Sequence, residues 1–360
     1  MHPAISLSPA TAPGCRPRWW GTFVAGLGLL AALGFPAAAT ADRVAARSIT
    51  HRVTERADAT QAASELLVRT GWGRGAGQLG RDPDGAGLGP AALAFGPRGE
   101  LLVLDAANRR VLVLSPRGRP ERALPLPGGH PRDLVALGAH LFVLAHASGA
   151  PDRYEVHALD LTTGQLRRTL PVPAAARVPG ALLVAGSPAA PDLWIEADPL
   201  RCVPLLRAGA PVPATAQLRP VLGRPTRSSR RPLVAALTGR TDLTVGELDE
   251  RGHVRPLADL QSAHPITAIR EVTTDAAGRL FVVIVVARGP DPETAGLRQV
   301  LVVLDGRSAP RQLELAPPTA LEPARPVAVA PDGAVVQLHV TPDGVTLRRF
   351  SAAAREASRP

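Results

Sequence analysis

Short runs of apolar residues recur along the chain after residue 65, and each run is bounded by Gly, Pro or Asp. Five clear runs occupy residues 101–104, 111–114, 141–144, 281–286 and 300–304. Extended stretches with an apolar period of 3.6 residues are hard to find in the same region. Apolar runs of this length, flanked by turn-forming residues, predict β-strands. The chain after residue 65 is therefore expected to be all-β.

The predicted strands fall into six larger units, each introduced by a residue–Pro step. The six prolines are Pro90, Pro131, Pro179, Pro225, Pro265 and Pro326, with spacings of 41, 48, 46, 40 and 61 residues. Proline suits the first residue of an innermost strand, because its missing N–H lies outside the hydrogen-bond ladder. Four strands in each repeat of this length are typical of a β-propeller, whereas a two-sheet sandwich would not explain a sixfold spacing. We predict a six-bladed β-propeller of four-stranded antiparallel blades.

The first unit carries a motif that indicates a family. A Gly-rich loop at 71–79 is followed by GPAALAF at 89–95, GELLVLD at 99–105 and NRRVLVL at 108–114. This order resembles the NHL repeat, in which a Pro-led strand precedes an apolar strand ending in V-x-D and an N-x-R turn. The motif resemblance covers residues 66–124. Units five and six keep its outline, and units three and four depart from it.

The resemblance also implies how the ring closes. In NHL repeats, the segment before the Gly-rich loop is the outermost strand of the preceding blade, and here that segment is 65–70. The last unit supplies only three strands of its own, at 326–330, 334–340 and 345–350. Residues 65–70 are therefore expected to be its fourth strand, which leaves no open edge. The propeller would then span 65–351, with a leader or linker at 42–64 outside the ring and a tail at 352–360.

The first 41 residues have the pattern of an export signal. Arg16 and Arg18 lie in a stretch without acidic residues, an apolar run follows at 19–35, and residues 39–41 read Ala-Thr-Ala. That order of basic, apolar and small residues predicts a cleaved signal peptide. The apolar run is at the short limit for spanning a bilayer, so an uncleaved anchor is the alternative. We expect an exported protein, periplasmic or extracellular, with membrane attachment only if this segment is retained.

The charge of the chain bears on its partners. All 41 basic residues are arginine, and removal of residues 1–41 would leave 39 arginines against 31 acidic residues, a net charge of +8. This balance favours anionic surroundings such as envelope lipid or acidic polysaccharide. Aromatic residues are not interleaved with the arginines, which argues against nucleic-acid binding. Cys202, the single cysteine after residue 41, lies in an apolar stretch and is expected to be a buried, inert thiol.

Three polar residues of the first unit are interpreted as residues that stabilise the fold and do not bind a ligand. Asp105 and Asn108 lie where two strands connect, and both side chain types readily bond to turn backbone. Asn also tolerates the left-handed φ that such a connection needs. Arg109 is expected to brace the adjacent loop.

Four residues that directly precede entry prolines are the candidate ligand-binding residues. They are His130 and His264 in units two and five, and Arg224 and Arg325 in units four and six. Strand-entry loops lie at the mouth of the central channel, where propellers usually bind ligands. Two histidines and two arginines there would hold an anion. The alternative is that they are unrelated loop residues.

Metal or catalytic chemistry is not favoured by the sequence, and we expect no metal and no cofactor. Some lyases of the wider NHL-like group carry zinc-binding histidines after the entry proline, but none of the six residues that follow it here is His. His140 and His146 would lie about 20 Å apart along one strand and cannot share a metal. We therefore predict an exported, monomeric, non-catalytic propeller that binds a protein segment or an anionic glycan. A propeller-type lyase or hydrolase is the alternative, and three or more converging His, Asp or Glu side chains would indicate it.

Overall fold

The computed structural model describes residues 49–54, 64–82, 89–176, 178–187, 190–198, 201–213, 218–226, 231–292, 296–306, 309–321 and 323–350. The predicted signal peptide, most of the predicted leader and the tail at 352–360 lie outside these residues. The described residues form 25 β-strands and no helix. No membrane-spanning helix is found among them.

Three blades are four-stranded antiparallel sheets built from consecutive strands. Blade one contains β3 (Pro90–Phe95), β4 (Leu101–Asp105), β5 (Arg110–Leu114) and β6 (Pro120–Pro125). Blade two contains β7 (Pro131–Leu137), β8 (His140–Ala147), β9 (Ala150–Asp160) and β10 (Leu166–Pro171). Blade five contains β19 (Ile266–Thr274), β20 (Leu280–Ala287), β21 (Leu297–Leu304) and β22 (Arg311–Leu315).

Blade three has a divided outer edge. It contains β11 (Leu182–Ser187), β12 (Ala190–Asp198), β13 (Arg201–Arg207), β14 (Ala210–Pro211) and β15 (Val221–Leu222). The two short strands β14 and β15 both pair with β13, at its opposite ends. Together they occupy the position that a single outer strand holds in the other blades.

Blades four and six have three consecutive strands each. Blade four contains β16 (Leu233–Leu237), β17 (Asp242–Leu248) and β18 (Val254–Ser262), and blade six contains β23 (Val327–Val329), β24 (Val335–Thr341) and β25 (Gly344–Phe350). Strand β2 (Ser64–Thr70) is the fourth strand of blade six and pairs antiparallel with β25. The prediction that residues 65–70 close the ring is confirmed, as is the six-bladed propeller fold.

The N-terminal segment departs from expectation in one respect. Ile49–Val53 forms β1, which pairs in parallel with β18 as the outer strand of blade four. The next residue, Thr54, exchanges two backbone hydrogen bonds with the side chain of Gln312 and accepts a third from Arg298 Nη2. The expectation that 42–64 lies outside the ring is thus wrong for 49–54. The reason is that blade four would otherwise leave the edge of β18 unpaired.

Neighbouring blades pack through shared apolar clusters. Five junctions have such a cluster, exemplified by Leu102 with Leu141, Leu144 with Ile195, Val245 with Val282, Val283 with Val335, and Leu338 with Leu101. Between blades three and four, the described cluster holds blade three residues alone, centred on Trp194 and Cys202. Arg224 joins these two blades instead, because its backbone bonds to Leu233 while its side chain bonds to Glu196.

The first strand of each blade faces the centre of the ring. A cavity of about 90 Å³ is lined by β3, β7, β11, β19 and β23 and by Pro225, which precedes β16. We call the side where these first strands begin the strand-entry face. The hairpins that join the second and third strands of the blades lie on the same face, because successive strands are antiparallel.

Candidate functional site

Asp105 fastens a hairpin of the strand-entry face to the Gly-rich loop that precedes blade one. Its buried carboxylate accepts hydrogen bonds from the Gly80 N–H at 2.9 Å and from Asn108 Nδ2 at 2.7 Å. Asn108 Nδ2 also donates to the Gly73 carbonyl at 2.8 Å. These two residues therefore join the β4–β5 hairpin to the loop, as expected of fold residues.

The arginine that braces this loop is Arg110, and the expectation for Arg109 is corrected. Arg110 pairs with Asp105 at 2.9 Å and donates to the carbonyls of Arg74, Gly75 and Gln78. Arg109 has an exposed side chain and a left-handed φ of 53°, the conformation expected of Asn108. The reason is geometric: Arg110 begins β5 directly opposite Asp105, whereas Arg109 completes the turn.

Arg224 lies between blades three and five rather than open at the channel mouth. Its Nε atom lies 2.8 Å from Glu196 Oε1, and its Nη1 atom lies 3.4 Å from Glu271 Oε1. Glu196 belongs to β12 and Glu271 to β19, so one guanidinium connects two blades. The Arg224 side chain is only 19% exposed. Its charge is therefore engaged within the ring.

Arg325 reaches from blade six to two other blades. Its Nη2 atom lies 3.0 Å from Asp133 Oδ2 of β7 and also donates to the Leu182 carbonyl at the start of β11. Its backbone bonds in parallel fashion to β3 of blade one, at Ala91 and Leu93. Arg325 thus contacts blades one, two and three from its position before β23.

We call Arg224, Arg325, Glu196, Glu271 and Asp133 the central charge cluster. It contains three carboxylates and two guanidiniums. Desolvation by burial raises the pKa of Asp133, and the nearby Glu271 charge acts in the same direction. Asp133 Oδ1 has no hydrogen-bond partner among the described residues. The Asp133 carboxylate therefore depends on Arg325 and on the Leu182 N–H, which donates to its Oδ2 atom at 2.6 Å.

The two predicted histidines directly precede the entry prolines of blades five and two. His264 precedes β19 and is partly buried, with its N–H donating to Ser262 Oγ at 3.2 Å. His130 is exposed before β7, and its ring lies 6.5 Å from that of His146. Of the four predicted residues, the structure brings together the two arginines, through their carboxylate partners, and places His130 in a separate cluster on blade two.

That second cluster was not predicted, and we call Arg109, His130, Arg132, His146 and Tyr154 the blade-two patch. His146 and Tyr154 are cross-strand neighbours with ring centroids 4.4 Å apart. Arg132 donates from Nη1 to the Tyr154 hydroxyl at 3.1 Å. Tyr154 is the only tyrosine of the chain. The pairing of β8 with β9 was the signal available in the sequence, because their hairpin sets these two residues opposite each other.

A metal-binding arrangement of three or more His, Cys, Asp or Glu side chains is not found in the part of the chain that the structure describes. Cys202 is fully buried, as expected, and desolvation by burial raises the pKa of its thiol to about 12.

No protein-family model and no curated protein matches the chain. The resemblance to the NHL repeat therefore stays a prediction.

Several solved structures are similar in fold. Hydrazine synthase of Kuenenia stuttgartiensis is 15% identical, with 69% of this chain and 73% of that chain covered and a TM-score of 0.45. A streptogramin B lyase is 12% identical, with 73% and 93% covered and a TM-score of 0.40. Virginiamycin B lyase from Staphylococcus aureus is 10% identical, with 74% and 96% covered and a TM-score of 0.41. Similarity at this level carries no information on ligand or reaction.

Proposed function

We propose that the protein is an exported, non-catalytic β-propeller that binds an anionic ligand on its strand-entry face. The observation that carries this proposal is the pairing of Arg224 and Arg325 with carboxylates of other blades. Both arginines were candidates for ligand binding at the channel mouth. Their charges are instead used to hold blades together, which disfavours a site within the channel. Arg109 and His130 stay exposed on the strand-entry face and support binding there.

The energetics of the central charge cluster also favour a structural role for Arg325 over ligand binding. A substrate that drew Arg325 away would leave Asp133 as a buried and unpaired carboxylate, which is strongly destabilising. The cavity at the centre, at about 90 Å³, is also smaller than the roughly 300–1,000 Å³ of ordinary small-molecule sites. Both features favour a structural role for the channel residues over chemistry.

Export and family membership are part of the proposal. The signal-like pattern of residues 1–41 supports export, and the net charge of +8 after residue 41 supports an anionic partner. The Asp105, Asn108 and Arg110 contacts support an NHL-like first blade. We propose that the propeller acts as a monomer. The candidate ligand classes are an anionic glycan and a protein segment rich in acidic residues.

The test blocks one face of the propeller at a time. Val178 is 66% exposed, shortly before the first strand of blade three, and Ala277 is exposed in the β19–β20 turn of the opposite face. Val178→Cys and Ala277→Cys variants would each be coupled to a polyethylene glycol maleimide, since the native Cys202 is buried. Binding to immobilised polygalacturonate and to a poly-glutamate peptide would then be measured.

The unmodified protein is expected to bind at least one of these probes saturably and without cleaving it. Coupling at residue 178 should abolish that binding, and coupling at residue 277 should leave it unchanged. Cleavage of the probe, equal binding by both conjugates, or no binding by the unmodified protein would overturn the proposal.

A further inference from the structure

The blade-two patch is a row of planar side chains on the strand-entry face. The His130 ring lies edge-on to His146, the His146 ring lies tilted against Tyr154, and the Arg132 Cζ atom lies 5.8 Å from the Tyr154 ring centroid. Two histidines, the single tyrosine and an arginine therefore lie side by side. All four side chains are exposed or partly exposed.

A second guanidinium lies close to this row. Arg109 Nη2 is 3.7 Å from the position that a Cβ atom on Gly128 would occupy, and Gly128 is two residues before His130. Arg109 and Ala208 are the non-glycine residues with positive φ among the described residues. Left-handed backbone is unfavourable for arginine, and such outliers concentrate at functional sites. The fold thus holds an exposed Arg109 beside the patch in a conformation that glycine would adopt more easily.

Acidic residues directly follow two members of the patch in sequence, and both are engaged in other contacts. Asp133 follows Arg132, and its carboxylate pairs with Arg325 at 3.0 Å. Glu155 follows Tyr154 in β9, so its side chain points to the opposite face of the blade. Its carboxylate lies 3.2 Å from the His157 ring. Arg132 bonds to the neutral Tyr154 hydroxyl. Among the described residues, neither Arg109 nor Arg132 forms an ion pair with a carboxylate, whereas Arg224 and Arg325 both do.

We infer that the blade-two patch is a subsite for a carboxylate-bearing sugar unit of an acidic glycan. The guanidiniums of Arg132 and Arg109 both donate hydrogen bonds to the carboxylate, whose geometry a planar guanidinium matches. One face of each ring is taken by the other ring, and the parts of the Tyr154 and His146 rings that stay exposed contact the C–H face of the sugar ring. This inference rests on the proposed function and names the ligand class and the residues that bind it.

A protein segment fits the patch less well. Protein interfaces have an apolar core of desolvated side chains. The exposed large hydrophobic residues of the described chain are Leu66, Leu166, Val178, Leu222 and Leu297, and none belongs to the patch or to the hairpins around it. A surface built from side-chain rings and guanidiniums, without an apolar centre, favours a polar ligand that carries carboxylates.

The test compares three patch variants with a matched control. Arg109→Gly, Arg132→Gln and Tyr154→Phe alter the patch, and Arg117→Gln removes an exposed arginine from the β5–β6 turn of the opposite face. Labelled polygalacturonate oligomers, a labelled poly-glutamate peptide and labelled dextran would be titrated with each variant, and thermal unfolding would be recorded in parallel.

Arg109→Gly and Arg132→Gln are each expected to weaken polygalacturonate binding about tenfold, the loss of one charge-assisted contact. Tyr154→Phe should weaken it less, and Arg117→Gln should have almost no effect. Dextran should not bind. Arg109→Gly should keep its unfolding temperature, because glycine accepts the left-handed φ, so its loss of binding cannot come from misfolding.

Equal losses in Arg117→Gln and the patch variants would show non-specific attraction and overturn the inference. Poly-glutamate binding that depends on the patch, without polygalacturonate binding, would assign the site to protein ligands and also overturn it. Patch variants that bind polygalacturonate like the wild type, while coupling at residue 178 still blocks binding, would overturn this inference and leave the proposed function standing.

Discussion

Arg325 of blade six forms an ion pair with Asp133 of blade two, with 3.0 Å between Nη2 and Oδ2. The two residues belong to non-adjacent blades, and both side chains are largely buried, at 13% and 1% exposure. The pair therefore links parts of the ring that share no sheet and no apolar cluster. Arg325 is also one of the predicted ligand-binding residues, and this pair engages its charge.

Loss of this pair should destabilise the fold. Arg325→Gln would leave the Asp133 carboxylate buried without its cation, and breaking a buried pair typically costs about 3–5 kcal/mol of unfolding free energy. Urea unfolding followed by fluorescence would measure it. The control is Arg288→Gln, because both members of its pair with Glu314 are accessible, at 53% and 34% exposure, and exposed pairs typically contribute under about 1 kcal/mol. Equal effects of the two variants would contradict a structural role for Arg325.

The effect of Arg325→Gln should depend on pH. Burial raises the pKa of Asp133 in the folded protein. The stability that this group contributes is therefore fully present below its pKa in the unfolded state, and it is lost as pH rises through its pKa in the folded state. Arg325 opposes this shift, so its removal raises the pKa further. The destabilisation should therefore shrink as pH falls, because the Asp133 carboxyl of the variant becomes protonated at a higher pH than an ordinary aspartate. The Asp133→Asn/Arg325→Gln double variant has no carboxyl group at residue 133, so its loss of stability should not shrink as pH falls.

Strand β1 should contribute measurably to stability. A chain beginning at residue 55 lacks β1 and exposes the edge of β18, and it also loses the buried Val53 and the bonds of Thr54. We expect a loss of about 2–4 kcal/mol from apolar burial and ladder bonds. A chain beginning at residue 49 is the control, because it keeps every residue of β1. Identical thermal transitions for the two chains would show that β1 adds nothing to blade four.

Arg110 and Arg109 should respond differently to substitution. Arg110→Ala removes the partner of the fully buried Asp105 and three bonds to loop carbonyls, so we expect a loss of about 2–4 kcal/mol. Arg109→Ala should cost under about 1 kcal/mol, since its side chain is exposed. Differential scanning calorimetry of both variants would test this. The reverse order of effects would restore Arg109 as the bracing residue.

Cys202 should be unreactive in the folded protein. Desolvation by burial raises the pKa of its thiol to about 12, and the thiolate is the reactive form. We expect almost no reaction with iodoacetamide at neutral pH and complete reaction after unfolding in urea. Rapid alkylation of the native protein, measured by mass spectrometry, would show that the junction between blades three and four opens readily.

Much of the fold could be predicted because its signals are local. Apolar runs, entry prolines such as Pro90 and Pro131, and turn glycines repeat at blade length, and each acts through the conformation of its own neighbourhood. The role of 65–70 followed from the three-strand count of the last unit and the family resemblance. Asp105 and Asn108 were recognisable because side chains of this type bond to turn backbone a few residues away.

The remaining features depend on residues that are distant in sequence. Ile49–Val53 pairs with a strand about two hundred residues away, and nothing in its own composition selects a parallel partner in blade four. The same holds for Arg224 and Arg325: an arginine before a proline looks identical whether it faces solvent or a carboxylate of another blade. The sequence by itself determined the six-bladed all-β fold and its closure by residues 65–70, because strand and turn preferences act locally. Only the tertiary structure decided which charges pair across the ring and which stay exposed, because desolvation and ion pairing depend on neighbours that folding brings together.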